Sequence, residues 1–193
     1  LPIKKEKTQT ALNNFDEFTM LDAWVMAPYI GFTEVEVRNL CKRYHRDFEK
    51  VKYLYASYLL GDYQVYNPEV IIDVCMQGKF RSYWSEAGTY ETINPLINMD
   101  FDGLKTVIIE ILSGADAEAD VRSFRNDIIG FANKDDVITY LIHLGYLGYN
   151  SNTRKAFIPN EEIRQELTHA VKRRKWNEMI TFQQESEHLL EAT

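Results

Sequence analysis

The chain has 193 residues, with 22 Lys and Arg against 29 Asp and Glu and a formal net charge of −7. Hydrophobic residues make up 45% and aromatic residues 13%, enough for a packed core, which excludes global disorder. The acidic balance excludes attraction of nucleic acid by the whole surface and leaves that role to a local basic patch, while the apolar runs fall far short of the roughly 20 residues that cross a bilayer, so no membrane partner is expected.

Residues 1–10 carry Lys4, Lys5 and Lys7 with no apolar stretch after them, so no secretory signal is expected. Residues 1–32 read as an extended N-terminal segment. Thr33 and Glu36 then form a capping-box pattern, and Val37, Leu40, Cys41 and Tyr44 follow at helical spacing, which predicts a helix over 34–44. Phe48, Val51, Tyr55 and Leu59 predict a second helix over 48–60, stopped by Gly61-Asp62. After a short extended stretch, Asn67 as cap and Pro68 at the first helical position open a third helix that closes at Gly78.

The region 83–100 is poor in periodicity, contains Gly88 and Pro95, and reads as a boundary. Beyond it, Leu104, Val107, Ile108, Ile111 and Leu112 make an amphipathic stripe ended by Gly114. Asn133 caps a helix whose Val137, Ile138, Tyr140, Leu141, Ile142 and Leu144 leave little polar face before Gly145, so that helix is expected at the centre of the core. Tyr146 to Tyr149 and Lys155 to Ile158 flank the polar turn Asn150-Ser151-Asn152-Thr153 and predict a β-hairpin. A last helix begins after Pro159-Asn160; its stripe of Ile163, Leu167, Ala170 and Val171 loses phase at Lys172-Arg173-Arg174-Lys175 and resumes at Trp176, Met179 and Ile180.

The fold class read from this pattern is mostly α with a small β-hairpin. It divides into the N-terminal segment 1–32, a helical subdomain over 33–100 and a winged-helix-like helical subdomain over 101–193. Cys41 and Cys75 fall in apolar helical patterns and read as reduced, buried thiols, which implies a cytoplasmic location.

Several runs carry a resemblance: Ala11-Leu12-Asn13-Asn14-Phe15, Gly31-Phe32-Thr33-Glu34-Val35-Glu36-Val37, Val65-Tyr66-Asn67-Pro68, Ser123-Phe124-Arg125-Asn126-Asp127, Lys134-Asp135-Asp136-Val137 through Leu141-Ile142-His143-Leu144-Gly145-Tyr146-Leu147, and Phe157-Ile158-Pro159-Asn160-Glu161-Glu162-Ile163-Arg164. In this order they resemble the bacterial predicted AAA-ATPase-like family, in which a P-loop ATPase core precedes a helical and winged-helix-like region and a restriction-endonuclease-like nuclease often follows. The chain departs from the family pattern at Tyr55-Ala56-Ser57-Tyr58, where a Tyr-Asp-Gly-Tyr or Tyr-Asn-Gly-Tyr motif usually stands.

A phosphate loop needs glycine amides around the phosphates, a Lys to neutralise them and a hydroxyl for magnesium; Gly78-Lys79-Phe80 lacks the hydroxyl. The nuclease needs an acidic residue two positions before a Lys, and none of the twelve lysines has one. The resemblance therefore implies that the ATPase core lies before Leu1 and any nuclease after Thr193. The chain is expected to be the non-catalytic connecting part, with the remaining domains of the same protein as partners, and ATP and magnesium belong only to the absent core.

His45, His143, His169 and His188 have no His or Cys at zinc-ligand spacing and read as structural or solvent-facing. Asp135 and Asp136, and likewise Glu161 and Glu162, read as first-turn carboxylates that complement a helix dipole. The alternative function is sequence-nonspecific nucleic-acid binding. Between residues 151 and 180 seven Lys or Arg stand against four Glu. Arg154 and Lys155 at the tip of the hairpin, with Lys172, Arg173, Arg174 and Lys175, are the candidate phosphate contacts. Base reading is not expected, because the helix before the hairpin is too apolar for a major groove.

Overall fold

A computed structural model of the chain describes residues 19–21, 24–56, 58–61, 63–83, 89–99, 101–122 and 130–172. These residues are mostly helical, with two three-stranded antiparallel sheets. None of their helices is long and apolar enough to cross a membrane.

Part of the segment 1–32, read as extended, is helical, while residues 1–18, 22 and 23 lie outside the described residues. A 3-10 turn, Trp24–Met26, runs into helix α1, Ala27–Ile30, with Pro28 near its start, where a missing N–H costs nothing, and Ala27 buried beneath it. Strand β1, Phe32–Thr33, follows, and Thr33 then caps helix α2, Glu34–Arg43. Both arms of the capping box form: Thr33 Oγ1 accepts from Glu36 N at 3.4 Å, and Thr33 N donates to Glu36 Oε2 at 2.8 Å.

Helix α3 spans Phe48–Tyr55 and stops five residues short of the expected 48–60 helix. Tyr58–Leu60 is instead strand β2, paired with strand β3, Tyr63–Tyr66, in a register that sets Leu60 opposite Tyr63. Gly61, at φ 62°, adopts the left-handed backbone that a tight hairpin demands, so it follows a strand of a hairpin rather than ending a helix. With β1 against the other side of β3, the sheet order is β1-β3-β2. Helix α4, Pro68–Gln77, opens on Asn67, whose Oδ1 accepts from Glu69 N at 3.0 Å, and closes on left-handed Gly78. Helices α2, α3 and α4 bury Val37, Cys41, Val51, Tyr55, Val70, Ile71, Val74 and Cys75 in one apolar cluster.

Helix α5, Thr89–Ile97, arises where no helix was expected. Pro95 lies exposed inside it, while Ile93, Leu96 and Ile97 are buried at the spacing of one face, and that burial outweighs the missing N–H. These side chains join a second cluster with helix α6, Leu104–Leu112, helix α7, Lys134–Leu144, and helix α8, Glu161–Lys172. Helix α7 is the expected central helix: Asn133 Oδ1 accepts from the amides of Asp135 and Asp136, Gly145 closes it in the left-handed region, and Val137, Ile138, Leu141 and Ile142 are buried. Strands β5, Gly148–Asn150, and β6, Lys155–Phe157, form the expected hairpin. A two-residue strand, β4, Ala117–Glu118, adds to β6 to give the order β4-β6-β5.

The two clusters are joined by polar contacts as well as packing. Strand β2 lies against β5 and α3 against α8. Tyr58 donates its phenol proton to the Gly145 carbonyl, Ser82 Oγ donates to Glu166 Oε1 at 2.7 Å, and Tyr83 N donates to Glu162 Oε1.

Candidate functional site

The β5–β6 loop, residues 151–154, is held by Asn150. Its Oδ1 accepts from Asn152 N at 3.0 Å and from Thr153 N at 3.2 Å, an Asx-type turn that fixes the loop locally. Arg154 closes the loop at φ 56°, a left-handed backbone for which Gly or Asn is the usual residue. Its carbonyl accepts from Ala119 N at 3.3 Å, which ties the loop to the segment after β4. The Arg154 side chain is exposed and makes no hydrogen bond or ion pair among the described residues.

Lys155 does not share the loop with Arg154. It begins β6, half-buried, with Glu118 of β4 as its register partner across the strand pair. Lys172 is the last residue of α8, and Arg173, Arg174 and Lys175 lie outside the described residues. Of the six basic residues singled out in the sequence, Arg154 and Lys155 are therefore the two adjoining this sheet edge.

Beside the loop is an open cavity of about 430 Å³ whose charged lining comprises Glu118, Asp120, Arg122, Lys134, Asp135 and Arg154. Three segments far apart in sequence meet here: the end of β4, the first turn of α7 and the hairpin loop. Asp120 accepts from Arg122 Nε and Nη2, both at 2.8 Å, and from Arg122 N at 3.1 Å. These bonds from Arg122, aided by the nearby charge of Arg154, hold the Asp120 carboxyl well below its usual range. Asp135 Oδ1 accepts from Lys134 Nζ at 3.0 Å and from Asp120 N at 3.4 Å.

Asp135 therefore does more than complement the α7 dipole, because it also orders the cavity wall. Asp136 is buried and accepts from Ala132 N at 2.9 Å. Glu162, only 3% exposed, turns toward Tyr83 rather than remaining a solvated first-turn acid. Periodicity carries no signal for the Asp135 and Glu162 roles, since each depends on a partner distant in sequence.

Arg122 and Lys134 were not among the basic candidates read from the sequence, because neither belongs to a basic run. His45 and His169 are exposed, His143 is half-buried, and His188 lies outside the described residues. Among the described residues no three His, Cys, Asp or Glu side chains cluster as metal ligands. Cys41 and Cys75 are free and buried, and burial pushes the Cys41 thiol up to about 11. Comparison of the chain with protein-family models, characterised proteins and solved structures finds no match.

Proposed function

We propose that this chain is a non-catalytic connecting module of an AAA-ATPase-like protein, with a helical first half and a winged-helix-like second half, that couples an ATPase core to a neighbouring domain. The run α6, β4, α7, β5, β6, α8, with β6 central in its sheet and a hairpin after the buried helix, supports the winged-helix reading. The resembling sequence runs support the family. The two free, buried thiols fit the reducing conditions of the cytoplasm.

The observation that carries the coupling role is the seam between the halves. Buried Glu162 and Glu166 on α8 reach residues 82 and 83, and Tyr58 reaches Gly145. A displacement of either half is thus passed to the other through directed bonds. In this reading ATP and magnesium bind the parent's core and not this chain. The purified chain should show no ATP turnover above a buffer control. Turnover that co-elutes with the chain and survives repurification would overturn the proposal.

A second reading, sequence-nonspecific binding of nucleic acid, is favoured by one observation: Arg154 stands exposed and, among the described residues, without a hydrogen bond or ion pair, at a hairpin loop beside a cavity lined by two further cations and three carboxylates. Binding of a labelled duplex that weakens steeply with salt would support it.

A further inference from the structure

We infer that Asp102-Gly103, in the turn ahead of α6, is a modification site at which the aspartate isomerises without an enzyme, rerouting the main chain through its side-chain carbons. The inference stands apart from the proposed function. In the first step the Gly103 nitrogen attacks Asp102 Cγ. The new N–Cγ bond closes a succinimide ring, and the carboxyl hydroxyl leaves with the amide proton as one molecule of water. Water then adds back. Opening at Cγ restores aspartate, whereas opening at the main-chain carbonyl leaves isoaspartate, with the peptide running through Cβ and Cγ and a free carboxylate on Cα. The water lost is regained, so no oxidant, reductant or cofactor is consumed.

The sequence supplies the reacting pair once. Asp102 is the one aspartate followed by glycine, and glycine has no Cβ to hinder the approach of Cγ to its nitrogen. The fold leaves both groups free. Asp102 is exposed, and among the described residues neither its carboxylate nor the Gly103 N–H makes a hydrogen bond or ion pair. Residues 101–104 form a type II turn, with Gly103 at φ 77° and ψ −7° and Leu104 N donating to the Phe101 carbonyl at 3.1 Å. Ring closure rotates the peptide between Asp102 and Gly103 out of this turn and breaks only that bond. Asp73 and Asp136 are placed differently, inside helices and followed by a β-branched valine.

The product alters the fold at a joint. Isoaspartate adds one carbon to the main chain directly before buried Leu104, which anchors α6 in the second cluster with Ile108 and Ile111. The first bond of α6, from Val107 N to the Gly103 carbonyl at 3.0 Å, lies next to the change. Isomerisation therefore loosens the start of this helix in one direction only, with age.

The folded chain is held for several weeks in mildly acidic buffer, because the hydroxyl departs from a protonated carboxyl. Peptides are then mapped by mass spectrometry with electron-transfer fragmentation, which separates isoaspartate from aspartate. Isoaspartate should form at residue 102 roughly tenfold faster than at Asp116, which is also exposed but is followed by Ala117. Asp102→Glu, which would need a larger ring, should form none. Asp102→Asn reaches the same ring with ammonia as the leaving group and should convert faster than the wild type isomerises. The isomerised chain, separated by chromatography, should exchange the amides of residues 104–108 faster than the starting chain.

Isoaspartate at residue 102 that forms no faster than at Asp116 would overturn the proposal. Formation only after unfolding in urea would overturn it as well, since the site would then belong to the peptide and not to the folded chain. Unchanged exchange over 104–108 in the isomerised chain would overturn the effect on α6 while leaving the site.

Discussion

The Tyr58 hydroxyl donates a 2.8 Å hydrogen bond to the carbonyl of Gly145, 87 residues away, and this joins the hairpin of the first half to the end of the central helix of the second. Gly145 is a left-handed helix cap, so its carbonyl points away from α7, outside the helix's own bonding, and the phenol satisfies it. Tyr58→Phe keeps the ring and removes the bond. It should cost about 0.5–1.5 kcal/mol plus any penalty for the carbonyl left without this donor. Urea unfolding checks this, and faster amide exchange near residue 145 in the variant would place the loss at the seam.

Arg46 caps α4 from outside the helix. Its Nε donates to the carbonyls of Val74 and Cys75 at 3.2 Å and its Nη2 to Cys75 at 2.8 Å. A cation at the C-terminal carbonyls also meets the negative end of the helix dipole. Arg46→Ala should destabilise the chain by about 1.5–3 kcal/mol, the range for hydrogen bonds to charged groups. Arg46→Lys should recover less than half of it, since one ammonium cannot reproduce the planar fork. Chemical unfolding of the two variants decides the matter.

Two glycines are required by close approach. A Cβ on Gly148 would fall within the ring of Phe157, its partner across β5 and β6, and a Cβ on Gly31 would stand 2.5 Å from the Tyr66 carbonyl oxygen. Gly148→Ala and Gly31→Ala should each cost about 1–3 kcal/mol or more, as overpacking does. Gly148→Ala combined with Phe157→Leu should recover part of the loss, whereas Gly31→Ala has no side-chain rescue because its obstacle is backbone. Thermal melts of the single and double variants test both statements.

Alkaline pH should unfold the chain. Burial pushes the Cys41 thiol from an ordinary 9.0 to about 11 and the phenols of Tyr55 and Tyr66 from 10.0 to about 12. The folded chain keeps these protons where the unfolded chain has released them, so stability falls as pH rises. It should be level below about pH 9, decline between 9 and 12, and decline less steeply in Tyr66→Phe, which has no proton to lose. Urea midpoints measured across this range supply the check.

The features legible in the sequence were those set by neighbours within a few residues. Thr33 with Glu36, Asn67 with Pro68 and Gly78, and Asn133 with Gly145 fix their helix ends through local bonds and backbone sterics. Tyr58–Leu60 was misread because Leu59 continues the spacing of Phe48, Val51 and Tyr55, and because Gly61-Asp62 suits a helix stop as well as a hairpin turn. Pro95 hid α5, whose stability comes from the tertiary burial of Ile93, Leu96 and Ile97. Strands β1 and β4 have two residues each, too few to show alternation. At the cavity, the hairpin and Arg154 were readable, while Arg122 and Lys134 were not, since only the folded chain brings them to one edge.

Strands β2 and β5 each end a sheet, and they lie against one another. Strand edges left bare recruit other strands. A fragment cut near residue 83 would therefore carry a sticky border where β2 now meets its neighbour, and the complementary fragment would carry the same at β5. Each half thus shields a border of the other, and separating them should favour aggregation of both fragments.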